Sequence, residues 1–162
     1  MVWRSLLPSD GELRYGVDPN QLDQVIQSPQ PMQQHEAVIS GLAPSTRYYY
    51  ALYSNSQLIA GDEHHYFETA PVLGSAQKTR VWVVGDSGTG ALNQSLVRDA
   101  MVQFAGNRKP DLFLHVGDMA YNDGTDLEFS FNFYAPYADI LRNTPIWPAL
   151  GNHEAVTSDS SH

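Results

Sequence analysis

The rhythm of apolar and polar positions changes near residue 79. Before that point, short runs of alternating or aromatic and β-branched residues recur with no helical period. The pattern predicts strands at residues 2–6, 12–17, 35–42, 47–53 and 64–69. Turn residues punctuate them: Pro8 with Asp10 and Gly11, Pro29 with Pro31, Pro44 with Ser45, and Gly61 with Asp62. Residues 27–34 read as a Gln/Pro-rich loop. Such spacing predicts an antiparallel β-sandwich over residues 1–71, followed by a linker at 72–78.

Residues 79–162 are built on a different plan. Three short apolar runs, at 80–84, 111–116 and 145–150, have the length and composition of buried parallel strands. Between the first two, Leu92, Leu96, Val97, Ala100, Met101 and Phe104 recur at three- and four-residue steps, predicting one amphipathic helix closed by Gly106. Residues 126–141 are rich in aromatics, and Pro136 is expected to divide them into two short helices. The order β-α-β-α-β predicts an α/β domain, so the fold class is a two-domain chain, all-β sandwich first.

Composition narrows the choices. With 18 acidic against 9 basic side chains and a net charge of −9, the surface as a whole repels nucleic-acid backbones and anionic lipid. An anionic substrate would need a local cation. The absence of cysteine excludes disulfides, thiolate metal sites and Cys nucleophiles together. No apolar run is long enough to span a membrane. Arg4 and Pro8 interrupt the start of the chain before a secretion-signal core could form, and residues 157–162 are a polar run with no closing element.

Each of the three α/β strands ends in a glycine followed by a polar residue: Gly85 and Asp86, Gly117 and Asp118, Gly151 and Asn152. Ligands of open α/β sheets bind beyond the carboxyl ends of the strands, so these side chains should converge at one edge. Each motif alone is an ordinary turn pair; three on successive strands, with Tyr121 and His153 close behind, point to a site. Two carboxylates gathered there repel each other unless a cation neutralises them. A divalent or trivalent metal is the simplest answer.

The strings Gly85-Asp86-Ser87-Gly88, Gly117-Asp118-Met119-Ala120-Tyr121 and Gly151-Asn152-His153-Glu154 are similar, in order and spacing, to the GDxG, GDxxY and GNHE motifs of purple acid phosphatases. These are calcineurin-like metallophosphoesterases with an N-terminal fibronectin type III-like domain. The resemblance extends to Gly41-Leu42-Ala43-Pro44 and Thr46-Arg47-Tyr48-Tyr49-Tyr50, which look like the tyrosine corner of that domain, and Leu13 to Gly16 fit an upstream strand. The domain is then expected to lack its first strand. The resemblance implies phosphoester hydrolysis at a binuclear centre of Fe(III) plus a divalent Fe, Zn or Mn. Carried over by residue, Asp86 and Tyr121 bind the ferric ion, Asp118 bridges both metals and Asn152 binds the second. His153 faces the phosphate as the catalytic acid or stabiliser, sharing substrate binding with Asn152. Hard oxygen donors and a phenolate suit a ferric ion. The implied partner is a phosphorylated small molecule, with no nucleic-acid or membrane binding, and the family's habits imply secretion or a periplasmic location.

The family's later VxxH and GHxH motifs do not occur in these 162 residues. The sequence is therefore expected to be a C-terminally truncated fragment with little activity of its own. His162 follows Asp159, Ser160 and Ser161 and is not assigned as a ligand; His35, His64 and His65 fall in or beside predicted strands, and His115 is expected to be a buried structural histidine. One rival is a non-catalytic interaction module derived from a phosphatase. Another is an SGNH-type serine esterase with Ser87 as nucleophile and Asp159 and His162 as its partners, which leaves Tyr121 and the Asn152-His153-Glu154 string without a role. The Gly85-Asp86-Ser87-Gly88 string also occurs in trypsin-like proteases, but those need His and Asp upstream. Gly85, Gly88 and Gly90 do not form a dinucleotide fingerprint.

Overall fold

A computed structural model describes residues 1–157. The chain divides into two compact units, the first spanning Met1–Gln77 and the second beginning at Lys78.

Five strands make up the first unit: β1 (Val2–Gly16), β2 (Gln24–Glu36), β3 (Arg47–Ser54), β4 (Gln57–Ala60) and β5 (Tyr66–Glu68). All belong to one antiparallel sheet, ordered β2-β1-β3-β4 with β5 also paired to β3, rather than to the two facing sheets of a sandwich. Its core is Trp3, Leu13, Ala37, Tyr50 and Leu52, delivered by alternation along β1 and β3. Neither the Pro8 turn nor the Gln/Pro-rich loop separates strands here. The β1–β2 ladder instead shifts register between Arg4 and Ser9 and again between Ser9 and Gly11. Pro8 falls in the first irregularity, and Pro29 and Pro31 oppose the second, where a residue without an N–H breaks no ladder bond. The expected strand at 35–42 ends at Glu36, whereas β4 had no expected counterpart. His35 is fully buried against Trp3, and His64 and His65 lie in the turn before β5, where His65 Nδ1 meets Asp62 Oδ1 at 2.6 Å.

The second unit is organised by a parallel sheet of β6 (Val81–Val84), β7 (Leu112–His115) and β8 (Ile146–Pro148), in that order. Phe113, at the centre of β7, is fully buried and stacks on Trp82 at 4.4 Å. Around it close Met119, Phe133, Tyr137 and Ile140, with Trp82, Val84, Met101 and Ile146 packed alongside. These strands are not buried on both faces: Val81, Val83 and Trp147, on alternate positions, are exposed.

Two helical segments cover the buried face. Helix α1 spans Leu92–Ala105, but its inward positions are Gln94, Arg98, Met101 and Ala105. Arg98 donates to Pro136 O at 2.8 Å, and Gln94 donates to Asn132 O and accepts from the Gly90 N–H. Most of the apolar stripe anticipated along this helix faces outward instead, with Leu92, Leu96, Val97 and Phe104 all exposed, while Met101 packs against the core. Pro136 does not divide the next segment either. Helix α2 (Asp126–Glu128) runs into a π-helical stretch (Phe129–Tyr134) and then α3 (Ala135–Leu141). Proline sits where the hydrogen-bond register changes from π to α, a point at which its missing N–H is tolerated. No helix among the described residues is long and apolar enough to cross a membrane.

Candidate metal centre

The loops after β6, β7 and β8 meet at the carboxyl edge of the second unit's sheet. Asp86 N–H donates to Gly117 O at 3.1 Å, Gly88 N–H to Asp118 O at 3.3 Å, and Tyr121 N–H back to Gly88 O at 2.9 Å. Two glycines are required by close approach. A Cβ on Gly88 would stand 1.7 Å from Met119 O, and one on Gly151 would stand 2.0 Å from Asp118 Oδ1. The strand-end glycines do not make the sharp turns alone. Asp86 (φ 53°) and Asp118 (φ 57°) themselves adopt the left-handed conformation, which costs a non-glycine residue about 1–2 kcal/mol. Strain is thus located at the two carboxylates that sequence patterning singled out.

The carboxylates converge through Tyr121, whose hydroxyl lies 3.1 Å from Asp86 Oδ1 and 3.1 Å from Asp118 Oδ2. Burial first, and then hydrogen bonding to both aspartates, raises the Tyr121 phenol above its ordinary pKa of 10.0. The phenol proton therefore stays in place at neutral pH and bridges the two anions. Asp118 is buried, and its Oδ1 accepts the backbone N–H of His153 at 3.1 Å. The His153 ring packs against Tyr121 with centroids 4.2 Å apart, and its Nδ1 bonds Asn122 O. Because a carbonyl only accepts, Nδ1 carries the proton and Nε2 is the nitrogen left for a ligand. Asn152 is exposed in the same turn, between Gly151 and His153. Sequence reasoning named all five of these residues, and the structure gathers them along one edge.

Among the described residues no three His, Cys, Asp or Glu side chains converge as a metal-holding group. What converges is a pair of carboxylates with a phenol, an all-oxygen set suited to a hard cation. The residues present fit part of a metal centre.

Three neighbours escaped the sequence reading. Glu154, only 3% exposed, accepts the backbone N–H groups of Asp118 (2.9 Å), Met119 (2.7 Å), Ala120 (3.0 Å) and Gly151 (2.8 Å). Glu128 caps α2 reciprocally with Thr125 and accepts from Asn122 and Asp123, while Asn132 Nδ2 holds Tyr121 O at 2.9 Å. The capping box Thr125-Asp126-Leu127-Glu128 was visible in sequence. Glu154 stood in the sequence as the last residue of the Gly151-Asn152-His153-Glu154 string, but without a role of its own.

Ser87 and His115 form a buried pair, Oγ to Nε2 at 2.8 Å. The Gly117 N–H approaches His115 Nδ1 at 3.3 Å, so Nδ1 is the acceptor nitrogen and Nε2 carries the hydrogen. Burial lowers the His115 pKa from 6.5 despite the attraction of Glu154, Asp86 and Asp118, which keeps the ring neutral. An imidazole that donates to Ser87 cannot also take its proton. His115 therefore cannot serve Ser87 as a general base, and the histidine that the esterase reading named, His162, lies outside the described residues.

The calcineurin-like phosphoesterase family matches residues 79–161. Purple acid phosphatase 15 of Arabidopsis thaliana is 32% identical over 177 aligned positions, covering 95% of this chain and 30% of that protein. Purple acid phosphatase 23 of the same plant is 33% identical over 121 positions, covering 74% of this chain and 22% of its own length. The chain thus spans less than a third of these relatives. A solved structure of PhoD superposes with a TM-score of 0.58 at 14% identity, over 93% of this chain and 33% of that one, a likeness of fold.

Proposed function

Because this chain belongs to the calcineurin-like phosphoesterase family, with purple acid phosphatase-like character, we propose that it supplies part of a binuclear centre for phosphoester hydrolysis. In this reading Asp86 and Tyr121 hold one metal, Asp118 reaches both and Asn152 holds the second. The observation that carries it is the Tyr121 hydroxyl placed equally between the Asp86 and Asp118 carboxylates. The bound ions, a ferric one and a divalent Fe, Zn or Mn, would supply Lewis-acid withdrawal of charge from the phosphoryl oxygens and a lowered pKa for water.

This chain's residues do the remainder. Tyr121 would hold the metal through its phenol oxygen, and the cation's charge would favour the phenolate form there. Asp118, fixed by the His153 N–H, keeps its second oxygen turned toward Tyr121 and Asp86. His153, oriented by Asn122 O and the Tyr121 ring, leaves Nε2 free, and in the doubly protonated ring that nitrogen can donate to a phosphoryl oxygen or to a leaving alkoxide. The substrate is a phosphorylated small molecule. The first unit is a scaffold with no chemistry of its own in this reading; its strands form one sheet, and the Ala43 N–H bonded to Tyr48 Oη at 3.0 Å is the one local feature a fibronectin-like corner would share.

Aryl-phosphate hydrolysis tests the proposal in a protein that joins this chain to histidine donors, loaded with iron plus zinc or manganese. Asp118→Asn should lower turnover by about a hundredfold or more, the range in which preorganised charge stabilisation operates. Undiminished turnover in the variant refutes the assignment. The 162-residue chain by itself, with two carboxylates, a phenol and an amide as donors, should turn over little or nothing.

A further inference from the structure

Glu154 is nearly inaccessible to solvent, carries a carboxylate and has no part in the donor set just described. Its four hydrogen bonds are divided evenly. Oε1 takes Met119 and Ala120, while Oε2 takes Asp118 and Gly151. The N–H groups of Asp118, Met119 and Ala120 are successive and form an anion-binding concavity, and the left-handed φ of 57° at Asp118, the first of them, turns them toward one point. The fourth donor comes from the loop after β8, so one side chain joins the Asp118 loop to the turn bearing Asn152 and His153. A carboxylate suits this place uniquely, because it offers lone pairs on both oxygens and no hydrogen; an amide would aim its NH2 at two N–H groups.

We propose that Glu154 is the positioning residue of the centre, holding the Asp118 carboxylate and the Asn152–His153 turn at a fixed separation before any metal binds. It compensates the strained Asp118 backbone and so determines where Oδ2 meets Tyr121. This inference rests on the metal reading above and adds to it a residue that touches neither metal nor substrate.

The test uses this chain joined to histidine donors as above, its Glu154→Gln variant, and Ile140→Val as a control that weakens the same core without touching the loops. Two quantities are read: amide hydrogen exchange in the metal-free protein and Mn2+ affinity by electron paramagnetic resonance. In Glu154→Gln the amides of Asp118, Met119 and Ala120 should exchange roughly tenfold to a hundredfold faster, as expected when buried donors lose their acceptor. Mn2+ affinity should fall about tenfold or more, in line with the loss of a supporting residue around metal ligands. Ile140→Val should leave Mn2+ affinity unchanged. Intact protection in Glu154→Gln overturns the proposal, as does lost protection with wild-type affinity, which would reduce Glu154 to a structural brace. A wild-type chain that binds no Mn2+ sinks the metal centre itself, an outcome distinct from wild-type binding with an unaffected variant. If Glu154→Gln does not fold, the wild-type exchange decides: those three amides and Gly151 must be as protected as the amides of β7, and rapid exchange overturns the assignment.

Discussion

Ser87→Ala separates two chemistries at one atom. The substitution deletes the Oγ that receives His115 Nε2–H at 2.8 Å and changes nothing in the donor set of Asp86, Tyr121 and Asp118. His115 is fully buried and its ring stays neutral, so the orphaned N–H finds no water. Leaving a buried donor unpaired costs about 1–3 kcal/mol. For a unit of this size each kcal/mol moves the melting temperature by roughly 4–8 °C, so the second unit should melt about 4–24 °C lower. Near-ultraviolet circular dichroism follows it through Trp82, which stacks on Phe113 in that core. Aryl-ester hydrolysis, measured beside the melt, should be negligible in both proteins. An unchanged melting temperature would show that His115 does not donate to Ser87. Ester hydrolysis present in the wild type and abolished in Ser87→Ala would restore the serine as a nucleophile and refute the tautomer argument.

Iron-loaded protein carrying the complete donor set should show a visible tyrosinate charge-transfer band that Tyr121→Phe removes; a band that survives the substitution places the phenolate elsewhere. Phe113→Ala, emptying a fully buried position stacked on Trp82, should destabilise the second unit by about 3–5 kcal/mol in urea titrations, and a loss below about 1 kcal/mol would contradict the packing described. Stability should also fall on acidification: above pH 6.5 the His115 ring is neutral folded or unfolded, whereas below it the unfolded chain takes up a proton that the buried ring refuses until its lowered pKa is reached. Melting temperatures between about pH 7 and about pH 5 should therefore drop less steeply in His115→Gln than in the wild type.

The centre was more legible than the framework around it. Asp86, Asp118 and Asn152 could be placed on one edge because parallel strands have a direction, and that direction survives errors in strand length. Helix α1 shows the opposite case. Periodicity located its apolar stripe, but Leu96 and Phe104 face outward because a pattern shows which side is apolar and not which side has a partner. Pro8 and Pro29 read as turns because bulges leave no sequence signature of their own, and the π-helical stretch was hidden for the same reason. Glu154 was quoted within a motif yet given no role, because its partners are backbone amides, which every residue but proline carries.

The anchoring carboxylate arrives late. A ribosome delivers the Asp118 loop well before Glu154, so the loop emerges with its amides turned toward an anion not yet synthesised. Emergence of the segment after β8 is thus the event that closes the nest, and until then water or a passing anion must satisfy Asp118, Met119 and Ala120. The left-handed turn at Asp118 is left without its anchor until the residue that stabilises the strained loop has been made.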